Sequence, residues 1–116
     1  MIFNRAINLF EMANVRPNKT GLKMVIYISP IDRQAKHGPR IKVSKKYGDK
    51  IGKGNSFSIS FDRLGNVKLE HKKTGDIKSS DVEDALRFVE LNWQILLSLW
   101  DDKIDSIDAV SQFIKV

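Results

Sequence analysis

Two histidines, His37 and His71, are the only side chains in this sequence whose ordinary titration falls near neutrality. A histidine pair is the least equipment that acid–base cleavage of RNA needs, and either imidazole could join nearby carboxylates around a metal ion. Neither lies in a ligand spacing such as an i, i+4 pair on a helix. No serine–histidine–acid set has recognisable flanks. Surface loop histidines are the plainer reading, so the sequence assigns no catalytic residue, no metal and no cofactor. A ribonuclease-type toxin using His37 or His71 stands as the alternative.

Cations supply the stronger signal. Arg33, Lys36, Arg40, Lys42, Lys45, Lys46, Lys50 and Lys53 fall between Asp32 and Lys53, against only Asp32 and Asp49. Such a stripe can neutralise the phosphates of a nucleic-acid backbone. Tyr47 is the one aromatic among these cations, which gives weak support to a base-stacking platform. The competing reading is a solvated strand face whose lysines guard a sheet edge. Within the stripe, Gly48 to Gly54 is a glycine-containing cationic loop. It matches neither a Walker loop nor a dinucleotide fingerprint, and it lacks the strand–loop–helix setting of either. Asp101, Asp102, Asp105 and Asp108 lack the spacing and central glycine of a calcium loop and read as a charged helix end.

The elements that position these residues follow from apolar spacing. From Ser80 to Trp100, Val82, Ala85, Leu86, Val89, Trp93, Leu96, Leu97 and Trp100 recur every three or four residues, which predicts a long α-helix. A second stripe, Phe88, Leu91, Ile95 and Leu99, widens the apolar surface and admits a homodimer through this helix. Asp81, Glu83, Asp84, Arg87, Glu90, Asn92, Gln94 and Ser98 are left to face water or a partner. Ser80 followed by Glu83 fits a capping box.

Ahead of the helix come strands. Leu22–Ser29, with Val25, Ile26, Tyr27 and Ile28, is apolar on both sides and reads as an inner strand. Arg40–Lys46 alternates, with Ile41 and Val43 inward and Arg40, Lys42 and Ser44 outward; Lys45 could join the outward pair. Ser56–Phe61 alternates serine with Phe57, Ile59 and Phe61. Asp62–Asn66 makes a hairpin turn to Val67–His71. Ile2–Ala13 reads as a short amphipathic helix, with an arm added to the sheet as its rival, and Asn14–Gly21 reads as turn. Ser106–Ile114 predicts a last short helix. The fold class is therefore α+β: an antiparallel four-stranded β-meander packed on one long C-terminal helix, with short terminal helices.

Composition bounds the rest. The 116 residues suit a single domain, 1–116, with one core. With no cysteine, disulfide scaffolds, thiolate metal sites and cysteine nucleophiles are excluded. That fits a reducing, cytoplasmic location. No apolar run reaches the roughly 18 residues that would span a membrane. Asn8 and Glu11 interrupt the run behind Arg5, so no secretory signal is expected. The formal charge of +6 is unevenly placed, with a basic centre and an acidic C-terminal third.

Two pieces of the chain carry a family resemblance. One is His37, Gly38, Pro39, Arg40, Ile41, Lys42 and Val43. The other is Phe88, Val89, Glu90, Leu91 and Asn92, through Leu96, Leu97 and Trp100. With Arg16, Pro17, Thr20, Gly21 and Leu22, they make Val15 to Lys103 resemble a small bacterial and phage family, the domain-of-unknown-function family numbered four thousand one hundred and sixty. The resemblance implies a compact sheet-plus-helix fold and an association with mobile elements and toxin–antitoxin pairs, and it implies no activity. Arg40 and Lys42 stand where the family's strand has two histidines, an exchange that favours a cationic binding face over histidine chemistry. The expected function is a small non-enzymatic binding protein of phage or mobile-element type. Its basic sheet face would contact nucleic acid or a nucleic-acid-binding protein, as a defence-system inhibitor or a toxin–antitoxin partner.

Overall fold

A short apolar run beside a turn-rich segment starts the sheet. The structure is a computed structural model and describes residues 13–28, 38–48, 55–70 and 73–116. Strand β1, Ala13–Val15, pairs antiparallel with β2, Met24–Ile28. Between them Pro17–Thr20 forms one turn of helix, α1. Proline at the first helical position sets φ, and Gly21 closes the turn in the left-handed region at φ 80°. The chain continues through β3, Arg40–Tyr47, β4, Ser56–Phe61, and β5, Val67–Leu69. Every neighbouring pair is antiparallel, and the strand order is β1-β2-β3-β4-β5. The fold is thus α+β with a five-stranded antiparallel meander, one strand more than the sequence reading expected. The extra strand is β1. Three residues are too few to show a period, and they straddle the predicted helix and turn. The rest of that predicted helix, residues 2–12, lies outside the described residues.

The alternation rule sorts the sheet's two faces. Met24, Ile26 and Ile28 of β2, Ile41 and Val43 of β3, and Phe57, Ile59 and Phe61 of β4 share one buried cluster. The long helix α2, Ser79–Trp100, seals that face with Val82, Ala85, Phe88, Val89, Leu96 and Leu99. β2 is an inner strand, as its two-sided apolar character required: Val25 and Tyr27, on the other face, are also buried. Within the second helical stripe, Phe88 and Leu99 belong to the core, Ile95 packs against it, and Leu91 stays 41% exposed.

Several local readings are corrected. The helix begins at Ser79 with Lys78 at its N-cap and no side-chain cap, so the Ser80–Glu83 capping box does not form. Asp81, expected at the surface, is buried at 5% exposure. Asn92, also expected to face water, is 2% exposed. Asn92 Nδ2 donates to the carbonyl oxygens of Phe88 and Ile114, each at 2.9 Å, and Asn92 Oδ1 accepts from the Ile114 amide at 2.7 Å. This amide side chain ties the C-terminal residues to the helix. Phe113 meets Phe88 edge to face with centroids 5.2 Å apart. The last helix, α3, Ser106–Ser111, is shorter than expected, and Asp105 caps it by accepting from the Asp108 amide at 2.8 Å.

Candidate nucleic-acid interface

Where each predicted cation falls depends on β3. Ile41 and Val43 are committed to the core, so the alternation sends Arg40 and Lys42 to the face opposite α2. In register, Arg40 stands opposite Ser60, and Lys42 stands between Tyr27 and Ser58. Both cations are half-buried. Around them β4 presents Ser56, Ser58 and Ser60, all half-buried. On β5, Lys68 pairs with Ser60 and is exposed. Lys68 was not among the predicted site residues, although the alternation of Val67, Lys68 and Leu69 already turned it outward.

Of the six other predicted cations, Lys45 and Lys46 are among the described residues. Lys45, the third residue offered for the outward face, does not join Arg40 and Lys42. Its Cβ lies 3.1 Å from where a side chain at Gly75 would begin, which lays its stem against the turn that precedes α2. Alternation along β3 is the cause: Lys45 lies two residues after Val43 and so turns to the α2 side with Ile41 and Val43. Lys46 is exposed near the end of β3, and its amide donates to Ser44 Oγ at 3.1 Å. Arg33, Lys36, Lys50 and Lys53 lie outside the described residues, as do His37 and His71 and the glycine loop beyond Gly48.

The end of β3 instead makes a structural lock. Tyr47 Oη donates to Asp81 Oδ2 at 2.7 Å and accepts from the Lys78 amide at 2.9 Å. Lys23 Nζ lies 3.5 Å from Asp81 Oδ1. The Tyr47 hydrogen bond holds the Asp81 carboxyl below its ordinary range against the opposing effect of burial, and Lys23 adds to it. For Tyr47, the Lys78 amide acts to lower the hydroxyl's pKa, but donation to Asp81, burial and the Asp81 charge together raise it. The lone predicted aromatic of the stripe is thus a brace between β3 and α2.

One acidic residue, Glu70, shares the face of Arg40 and Lys42, its amide bonded to the Ser58 carbonyl at 3.0 Å; others lie elsewhere. Glu83, Asp84 and Glu90, with Arg87 and Leu91, line a shallow groove on the outward side of α2. Asp101 is engaged by Arg63 through two hydrogen bonds of 2.8 Å, and that guanidinium keeps its carboxyl below the usual value. Among the described residues no group of three or more histidine, cysteine or acidic side chains could hold a metal ion. Among them, too, no helix is long and apolar enough to cross a membrane. Among the described residues, Arg40, Lys42, Lys68 and the serines of β4 share one side of the sheet with Glu70, and Glu83, Asp84 and Glu90 flank Arg87 on the outer side of the helix that covers the other. No family model, curated protein or solved structure matches the chain.

Proposed function

We propose that this protein is a non-enzymatic binding module whose sheet face opposite α2 contacts the sugar–phosphate backbone of nucleic acid. One observation carries the reading: Arg40, Lys42 and Lys68 project with the serines of β4 from the face opposite the α2 core. Cations and neutral hydroxyl donors suit phosphate oxygens, and contacts of that kind position a backbone without reading its sequence. Carboxylates on the outer side of α2 repel the same ligand and leave it one face to approach. The resemblance of Val15 to Lys103 to a mobile-element family agrees with a role as a defence-system inhibitor or a toxin–antitoxin partner in the cytoplasm.

The test is a fluorescence-anisotropy titration with single- and double-stranded DNA and RNA at two salt concentrations. Binding that weakens steeply with salt supports the proposal. An absence of binding at low salt overturns it and leaves a protein partner as the target of this face.

A further inference from the structure

We propose, resting on the backbone-binding reading above, that Tyr27, Lys42 and Ser58 form a seat for one phosphate group, with the buried Tyr27 hydroxyl donating to the anion. The three residues make a single row across β2, β3 and β4: Tyr27 pairs with Lys42, and Lys42 pairs with Ser58. Directly opposed residues on neighbouring strands have Cβ atoms about 4.5–5.5 Å apart and share a face of the sheet. Ile26, Ile28, Ile41, Val43, Phe57 and Ile59 are all in the α2 core, so the row belongs to the opposite face.

Tyr27 sets this row apart from an ordinary basic surface. The residue is only 5% exposed, and its hydroxyl, shut off from solvent, has no hydrogen-bond partner among the described residues. Folded proteins pair nearly all buried polar groups, so an orphan O–H requires an explanation. A phosphate provides one. Its several oxygens accept from the phenol and the serine hydroxyl together, while Lys42 supplies the compensating positive charge. Glu70 stands opposite Ser58 at the far end of the row from Tyr27, its amide donating to the Ser58 carbonyl at 3.0 Å, and it is exposed. Lys42 is half-buried on a flexible four-carbon stem, and its head turns outward to admit the anion to the hydroxyl. Two residues along β3, a step of about 6.6–6.8 Å, the row Arg40, Ser60 and Lys68 repeats the pairing of cation and hydroxyl. It receives the next phosphate of the same strand.

The experiment uses the full chain and a fluorescently labelled single-stranded oligonucleotide, with inorganic phosphate as competitor. Tyr27→Phe removes a donor and no charge. Its affinity is expected to fall about tenfold or more, the worth of a hydrogen bond to an anion, with an unchanged salt slope. Free Tyr27→Phe protein is expected to melt at or above the wild-type temperature, because it no longer buries an orphan hydroxyl. Lys42→Gln is expected to lose affinity and to flatten the salt slope by about 0.7–0.9. Ser58→Ala, a milder change, is expected to weaken binding with no change in slope. If Tyr27→Phe and Ser58→Ala bind like wild type while Lys42→Gln does not, the seat is overturned and the backbone-binding reading stands. If wild type binds neither oligonucleotide nor phosphate, both are overturned.

Discussion

Asn92 shows how much one side chain can organise. A short polar amide in the middle of a helix ordinarily faces solvent, yet here it is buried and makes three hydrogen bonds, two of them to the backbone of Ile114. Asn92→Ala strands those backbone groups, so a loss of about 2–4 kcal/mol is expected, seen as a lower urea midpoint with an unchanged m-value. Asp81 acts through charge. Its pKa is lowered in the folded protein, so its contribution is present above the ordinary carboxylate value of about 3.9 and fades as pH falls through the lower folded value. Asp81→Asn is therefore expected to melt below wild type at pH 7 and to converge with it in acid, as pH falls through the lowered folded value. Tyr47 has the opposite sign: its raised pKa makes its contribution fail as pH climbs past about 10.

At the scale of elements, α2 and the β4–β5 hairpin hold each other. The turn carries Gly65 at φ 85°, where a Cβ would lie 2.9 Å from the Trp93 ring. Gly65→Ala meets both the left-handed backbone and the indole, and a loss of about 1–3 kcal/mol in thermal or urea unfolding is expected. Phe88, fully buried against the sheet, is expected to cost about 3–5 kcal/mol as alanine. The long helix, β2, β3, β4 and the hairpin were legible because each runs long enough to show its period. β1 was not, since Ala13–Val15 is three residues whose strand character comes from pairing with Val15↔Ile26 and its neighbours. The Ser80 cap failed for a related reason: the same Ser-Ser-Asp run allows several starts, and the Tyr47 bond to Asp81, across 34 residues of sequence, decides between them. Lys45 was misplaced although the alternation of β3 alone sends it to the side of Ile41 and Val43, away from Arg40 and Lys42.

At the scale of the molecule, two groups of charge among the described residues lie on opposite sides. Arg40, Lys42 and Lys68 mark the sheet face opposite α2, while Glu83, Asp84 and Glu90 mark the outer side of the helix. The sequence already showed a basic centre and an acidic C-terminal third. What it could not show was which cations end on a common surface, because that depends on strand register. Arg40 and Lys42 were legible from the commitment of Ile41 and Val43 to the core. Lys68 was legible in the same way, from the alternation of Val67, Lys68 and Leu69 in the expected hairpin, and was passed over because it lies outside the cation stripe. The measurement that bears most directly on this arrangement is the salt dependence of oligonucleotide binding for wild type, Arg40→Gln, Lys68→Gln and a surface control, Lys103→Gln. A steep wild-type slope, flattened by about 0.7–0.9 for each sheet-face variant and unchanged for the control, is the expected result. Slopes that stay the same in the sheet-face variants, or fall equally in the control, would contradict the account.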